Sequence, residues 1–64
     1  MNDVVAQGSY LEIASNVIWC GERWTLRNYH KGNNKAALCR WKDDGSLEML
    51  PVMLSELEEQ NPVI

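Results

Sequence analysis

Three side chains in this sequence have the types that nucleophilic or metal chemistry uses: Cys20, His30 and Cys39. A thiol beside an imidazole becomes a nucleophile when a cleft and a neighbouring charge lower its pKa. The same trio could ligate a metal. A structural zinc site, however, takes four ligands, and these spacings contain neither a C-x-x-C pair nor an obvious fourth group. His30 lies between Tyr29 and Lys31 at the start of a polar loop and reads as solvated. Asp43-Asp44 suggests a cation site, but Gly45 follows directly, and aspartates in that setting bond local amides in a turn. The four glycines are scattered and form no phosphate-cradling loop. No catalytic constellation emerges. The expectation is a protein that is not an enzyme, with no cofactor and no metal, whose cysteines are reduced and packed rather than reactive.

Binding is the remaining class, and it directs attention to Arg23, Arg27, Tyr29, Lys31 and Arg40. Arginine and tyrosine are enriched at protein interface hot spots. They also suit single-stranded nucleic acid, where a ring stacks on a base and a guanidinium meets phosphate. The charge pattern bears on both. All six basic residues fall between positions 23 and 42, a window without a single carboxylate, inside a chain of net charge -3. Such segregation marks a nucleic-acid surface, or a strand pair matched electrostatically to its neighbours. The overall acidity favours the second, because dedicated nucleic-acid domains are usually basic. A protein partner is therefore expected first, nucleic acid second, with self-association through a sheet edge also open.

What must position these residues is a single small domain spanning residues 1–64. Residues 1–8 read as a loose lead-in and residues 60–64 as a loose tail. A chain this short buries only about 60% of its unfolded surface, so its stability is marginal. Apolar residues make up 45%, too many for disorder, and Trp19, Trp24 and Trp41 are large enough to anchor a core of this size. No segment approaches the roughly 18 to 20 apolar residues needed to span a bilayer, and the first residues lack a signal peptide's pattern. A cytoplasmic protein with no membrane partner is the expectation.

Along the chain, Ser9 and Glu12 fit a capping box, and Tyr10, Ile13, Ala14, Val17 and Ile18 share one helical face. Yet "YLEI" and "VIWC" also read as short strands, so residues 10–29 are left as helical or extended. From Arg23 to Tyr29 the alternation puts Trp24 and Leu26 on one face and Arg23, Thr25, Arg27 and Tyr29 on the other. "HKGNNK" reads as a hairpin loop, Lys35 to Trp41 as the returning strand, and Asp43-Asp44-Gly45 as a second turn into Ser46 to Leu50. This meander predicts an apolar face of Trp24, Leu26, Cys39, Trp41, Leu47 and Met49, with Arg40 outside. Pro51 is expected to end the ladder, and "SELEEQ", opened by a capping box at Ser55 and Glu58, to form one or two helical turns.

Gly21-Glu22-Arg23, Tyr29, Gly32, Cys39-Arg40-Trp41, Gly45 and Glu56-Leu57 resemble the YodC-like family of small bacterial proteins. That resemblance covers roughly positions 21 to 58 and implies a small SH3-like barrel with no assigned chemistry. A rival resemblance runs through "TLRNYHK", the glycine-turned hairpin and "LSELEE", which look like winged-helix domains of MerR-type regulators and excisionases. It implies that Thr25 to Lys31 is a helix entering the major groove. "SLEMLPVMLSELE" is faintly similar to the closing segment of plasmid-borne type II dihydrofolate reductases; Leu47 to Leu50 lacks that family's Gln and Tyr, and the activity is not carried over. The combined expectation is a mostly β domain, a small SH3-like barrel with a short C-terminal helical turn. The alternative is an α+β winged helix.

Overall fold

The computed structural model describes residues 11–62. The capping residue Ser9, Tyr10, the lead-in over residues 1–8 and the last two residues lie outside that range. The described chain is mostly β. Four strands, β1 (Asn16–Trp19), β2 (Glu22–His30), β3 (Lys35–Trp41) and β4 (Leu47–Met53), precede one short helix, α1 (Leu54–Gln60). The strands pair antiparallel in sequence order, giving an open sheet with β1 and β4 at its edges. Residues 11–15 form a turn rather than a helix. Thr25 to Tyr29 is strand, so no recognition helix of the winged-helix kind exists there.

Each turn follows from local chemistry. Cys20 and Gly21 join β1 to β2, and both have positive φ, 53° and 81°, as a tight primed hairpin turn requires. A cysteine in the left-handed region carries a Cβ clash that asparagine tolerates better. Cys20→Asn is expected to raise stability by about 1 kcal/mol, seen as a higher urea midpoint; an unchanged midpoint would count against strain at this turn. Between β2 and β3, a 3-10 turn at Lys31–Asn33 ends on Asn34, itself left-handed. Between β3 and β4, Asp44 Oδ1 accepts from both the Ser46 amide (2.9 Å) and hydroxyl (2.6 Å). These bonds to Ser46 hold the Asp44 carboxyl below the usual aspartate range. Gly45 supplies the positive φ, and the turn forms where the sequence predicts it.

The faces differ from the expected ones. Val17, Trp24, Leu26, Ala36 and Leu38 are buried, and Leu54 and Leu57 of α1 complete the core with Leu11. Leu26 and Leu38 stand opposite each other, and neither has exposed surface. Side chains opposite in an antiparallel pair share a face. One face of the sheet therefore carries Trp24 and Leu26, then Ala36, Leu38 and Arg40, then Glu48, Leu50 and Val52. Cys39, Trp41, Leu47 and Met49, expected inside, lie on the other face, and Trp41 is 74% exposed. Arg40, expected outside, belongs to the core side.

Two further corrections come from the backbone. A register shift between Leu26 and Asn28 inserts an extra residue, Arg27, and reverses the parity beyond it. Tyr29 consequently pairs with Ala36 and packs against the core instead of standing with Arg23. Pro51, expected to end the ladder, lies inside β4, which continues to Met53. At the ends of the β3–β4 ladder, Lys42 donates to the Ser46 carbonyl (2.8 Å) and Leu54 to that of Asn34 (3.0 Å). The register between these bonds has Glu48, Leu50 and Val52 facing β3, while Leu47, Met49, Pro51 and Met53 turn their main-chain groups to the edge. The proline's missing N–H costs no ladder bond.

The helix is held at both ends by side chains remote in sequence. Its N-cap, Met53, offers no side-chain bond; Asn34 supplies the acceptors instead. Asn34 Oδ1 takes the Ser55 amide at 2.8 Å, its carbonyl takes that of Leu54, and its Nδ2 donates to Ser55 Oγ at 3.1 Å. Ser55 is thus inside the helix rather than its cap. At the other end Asn61 Oδ1 accepts from the Ile18 amide (2.8 Å), and Asn61 Nδ2 donates to the carbonyls of Ile18 (2.9 Å) and Leu57 (2.8 Å). Gln60 Oε1 accepts from the Cys20 amide at 2.6 Å. Residues 60 and 61, read from sequence as tail, fasten α1 to the outer edge of β1.

Candidate functional site

The five residues singled out for binding do not come together. Arg23 is exposed on the outer face, near Trp41 by the strand register, and Arg27 is exposed at the bulge. Lys31 is exposed in the 3-10 turn, while Tyr29 is half-buried against the core. Arg40 is engaged on the opposite face from Arg23. Its Nη1 meets Glu22 Oε1 at 2.6 Å and its Nε meets Glu48 Oε1 at 3.0 Å. The hydrogen bonds that Arg40 donates to Glu22 and then Glu48 raise the guanidinium's pKa. Its carbon centre lies 4.0 Å from the centroid of the Trp24 ring, a cation–π contact. Arg40 thus also packs on the core, because its flat group lies over an indole that would otherwise meet water.

The surface that sequence reasoning missed is the outer face of β3 and β4. Trp41, Leu47, Met49 and Met53 are all substantially exposed there, with half-buried Cys39 and Ala37 between them. Register places Trp41 opposite Leu47, Cys39 opposite Met49, Ala37 opposite Pro51, and Lys35 opposite Met53. The result is a continuous apolar strip across two strands. A sheet face left in water normally alternates to polar residues. Here β4 is apolar at both parities, Leu47, Met49 and Met53 outward and Leu50 and Val52 inward, and that double pattern was the available signal.

Charged groups of both signs lie around the strip. Arg23 flanks its Trp41 end and Lys35 its Met53 end, and neither is paired with a carboxylate among the described residues. The strand carboxylates Glu22 and Glu48 are on the core face with Arg40. An open depression of about 270 Å³, lined by Lys35, Pro51, Val52 and Met53, continues the strip at the β4 edge. A second, about 590 Å³, lies at the β3–β4 hairpin and is lined by Arg40, Trp41, Lys42, Asp43, Asp44 and Glu48. Among the described residues, no three of the histidine, cysteine and acidic side chains gather as metal ligands, and Cys20 and Cys39 are free thiols. No helix of the described residues is long and apolar enough to cross a membrane.

Comparison with known proteins found no matching family model, no similar curated protein and no similar solved structure. The geometry of the strip, with Trp41 at one end and unpaired cations at both, is what bears on function.

Proposed function

We propose that this chain is a small, non-enzymatic accessory or regulatory module that binds a protein partner through the outer face of β3 and β4. One observation carries the reading: an uninterrupted apolar strip in which Trp41 is 74% exposed, Met53 50% and Met49 46%. Exposed contiguous apolar surface rimmed by polar groups is a recurrent mark of interaction sites. Tryptophan is the residue type most enriched at hot spots, and methionine adapts its shape to a partner. Of the residues singled out from sequence, Arg23 belongs to this surface, while Tyr29 and Arg40 support the fold behind it.

A nucleic-acid module is the second reading, supported by the same Arg23, Lys35 and Trp41, since a ring and two cations can engage a single strand. Leu47, Met49 and Met53 have no role toward phosphates, which places this reading behind the first. The two separate in one experiment. Tagged protein is used to capture partners from a nuclease-treated extract, side by side with Trp41→Asp. The protein reading expects a retained partner whose recovery falls roughly tenfold or more with the variant, as for a hot-spot residue. Capture abolished by nuclease, or unaffected by Trp41→Asp, would overturn it.

A further inference from the structure

The shape of the outer face narrows the choice of partner, resting on the protein-binding reading above. Both edges of the sheet are defended against another strand. The outward groups of Ile18 on β1 are taken by the Asn61 carboxamide, and the outward row on β4 is interrupted by Pro51, which has no N–H to give. The outer face is open, and its relief is complementary to itself. Cys39, paired with Met49, lies at its middle. Two residues beyond Cys39, Trp41 projects into water, 74% exposed. Two residues before it, the small Ala37 floors a depression of about 470 Å³, walled on this face by Asn28, His30, Lys35 and Pro51. Knob and depression thus stand about 7 Å to either side of one point.

Charge follows the same symmetry. Asp43 is four residues beyond Cys39, and Lys35 is four before it. The hairpin end holds both signs: Arg40 is bonded to Glu48 and Glu22, and Lys42 stands beside Asp43 and Asp44. The opposite end of the strands carries Lys31 and Lys35, while Glu56 belongs to α1 on the core side. A twofold axis that lies in the interface and crosses β3 at Cys39 would lay one sheet reversed upon another. It seats each Trp41 in the Ala37 depression of the second copy, each Leu47 on Pro51, and each Asp43 at Lys35. An axis along the strands would instead stack Trp41 end on Trp41 end and Lys35 end on Lys35 end. We infer that the occupant of the strip is a second copy of this chain, packed face to face about Cys39 with its strands reversed. An isologous contact needs this kind of self-complementary patch. The strip is about 20 Å long on two strands ~5 Å apart, well below a standard interface of ~800 Å² per partner. The dimer is therefore weak, and dissociated at the micromolar concentrations used for circular dichroism.

The test is sedimentation of the full chain from micromolar to millimolar concentration, where the mass is expected to rise toward twice that of one chain. Trp41→Ser is expected to weaken the dimer at least tenfold, as for a hot-spot residue. Asp43 and Lys35 are both exposed, so their substitutions leave the fold intact, as circular dichroism would verify. Asp43→Lys and Lys35→Asp each turn two facing pairs repulsive, and each alone is expected to weaken dimerisation about tenfold. An equimolar mixture of the two variants is expected to recover it, because the mixed dimer has both pairs matched. A chain still monomeric at millimolar concentration, or a dimer indifferent to Trp41→Ser, would overturn the second copy as occupant. A mixture no tighter than either variant alone would overturn the reversed packing about Cys39. None of these results touches the protein-binding reading itself, which falls only in the capture experiment with Trp41→Asp.

Discussion

Leu38→Ala is expected to leave much of the protein unfolded at 25 °C, whereas Trp41→Ser leaves it folded. Leu38 has no exposed surface and meets Leu26 across the strands, so truncation removes buried methyls and leaves a cavity. Changes of this kind cost about 2 to 5 kcal/mol. A domain of this size rarely has more than about 3 to 5 kcal/mol in total. Trp41, three residues along and much larger, projects from the opposite face and is mostly in water. Its replacement is expected to change stability by no more than about 0.5 kcal/mol, as for surface positions generally. Urea unfolding followed by far-UV circular dichroism checks the pair. If Trp41→Ser proved as costly as Leu38→Ala, the assignment of faces would be wrong.

The second large effect is at Asn34, where one residue performs two tasks. Its φ of 54° puts it in the left-handed region, and its side chain caps α1 from outside the helix. Asn34→Ala loses both, with a cap worth about 0.5 to 2 kcal/mol and a left-handed penalty of about 1 to 2 kcal/mol. The expected sum is near 2 to 3 kcal/mol. Asn34→Gly keeps the backbone freedom and loses the side-chain acceptor, so it should cost less. Asn34→Asp keeps the oxygen that receives the Ser55 amide and should cost least. Urea midpoints in the order Asp, Gly, Ala from highest to lowest are the expected result. Three indistinguishable variants would show that α1 needs no outside cap.

These two residues also show which parts of the fold could be read from sequence. The loop around Asn34 and the Asp43-Asp44-Gly45 turn were legible, because residues that accept left-handed backbone or bond their own amides announce turns locally. The assignment of faces was not. In "KAALCRW" two apolar sets interleave, Ala36 with Leu38 and Ala37 with Cys39 and Trp41, and size favoured the set with tryptophan. Alternation fixes which residues share a face without saying which face is buried when both are apolar. What decides it is tertiary: Leu38 opposite Leu26, and Arg40 reaching Glu22 and Glu48 while lying over Trp24. Tyr29 escaped for another reason, since a one-residue bulge at Arg27 carries no strong sequence mark and reverses every position after it. The candidate site inherited both errors. The basic window was visible, but the apolar strip between Arg23 and Lys35 emerges only once the faces are assigned.

The carboxamide of Asn61 on Ile18 also has a consequence for the order in which the domain is built. Strands β1 to β4 are joined by short loops, and their pairings are close in sequence, so each hairpin closes at little entropic cost. The bonds between Ile18 and Asn61 join positions 43 residues apart. Those ends meet readily only after the meander has brought them together, which sets this contact on the late side of the folding barrier. Its loss is therefore expected to speed unfolding more than it slows folding, which stopped-flow rates of Asn61→Ala check.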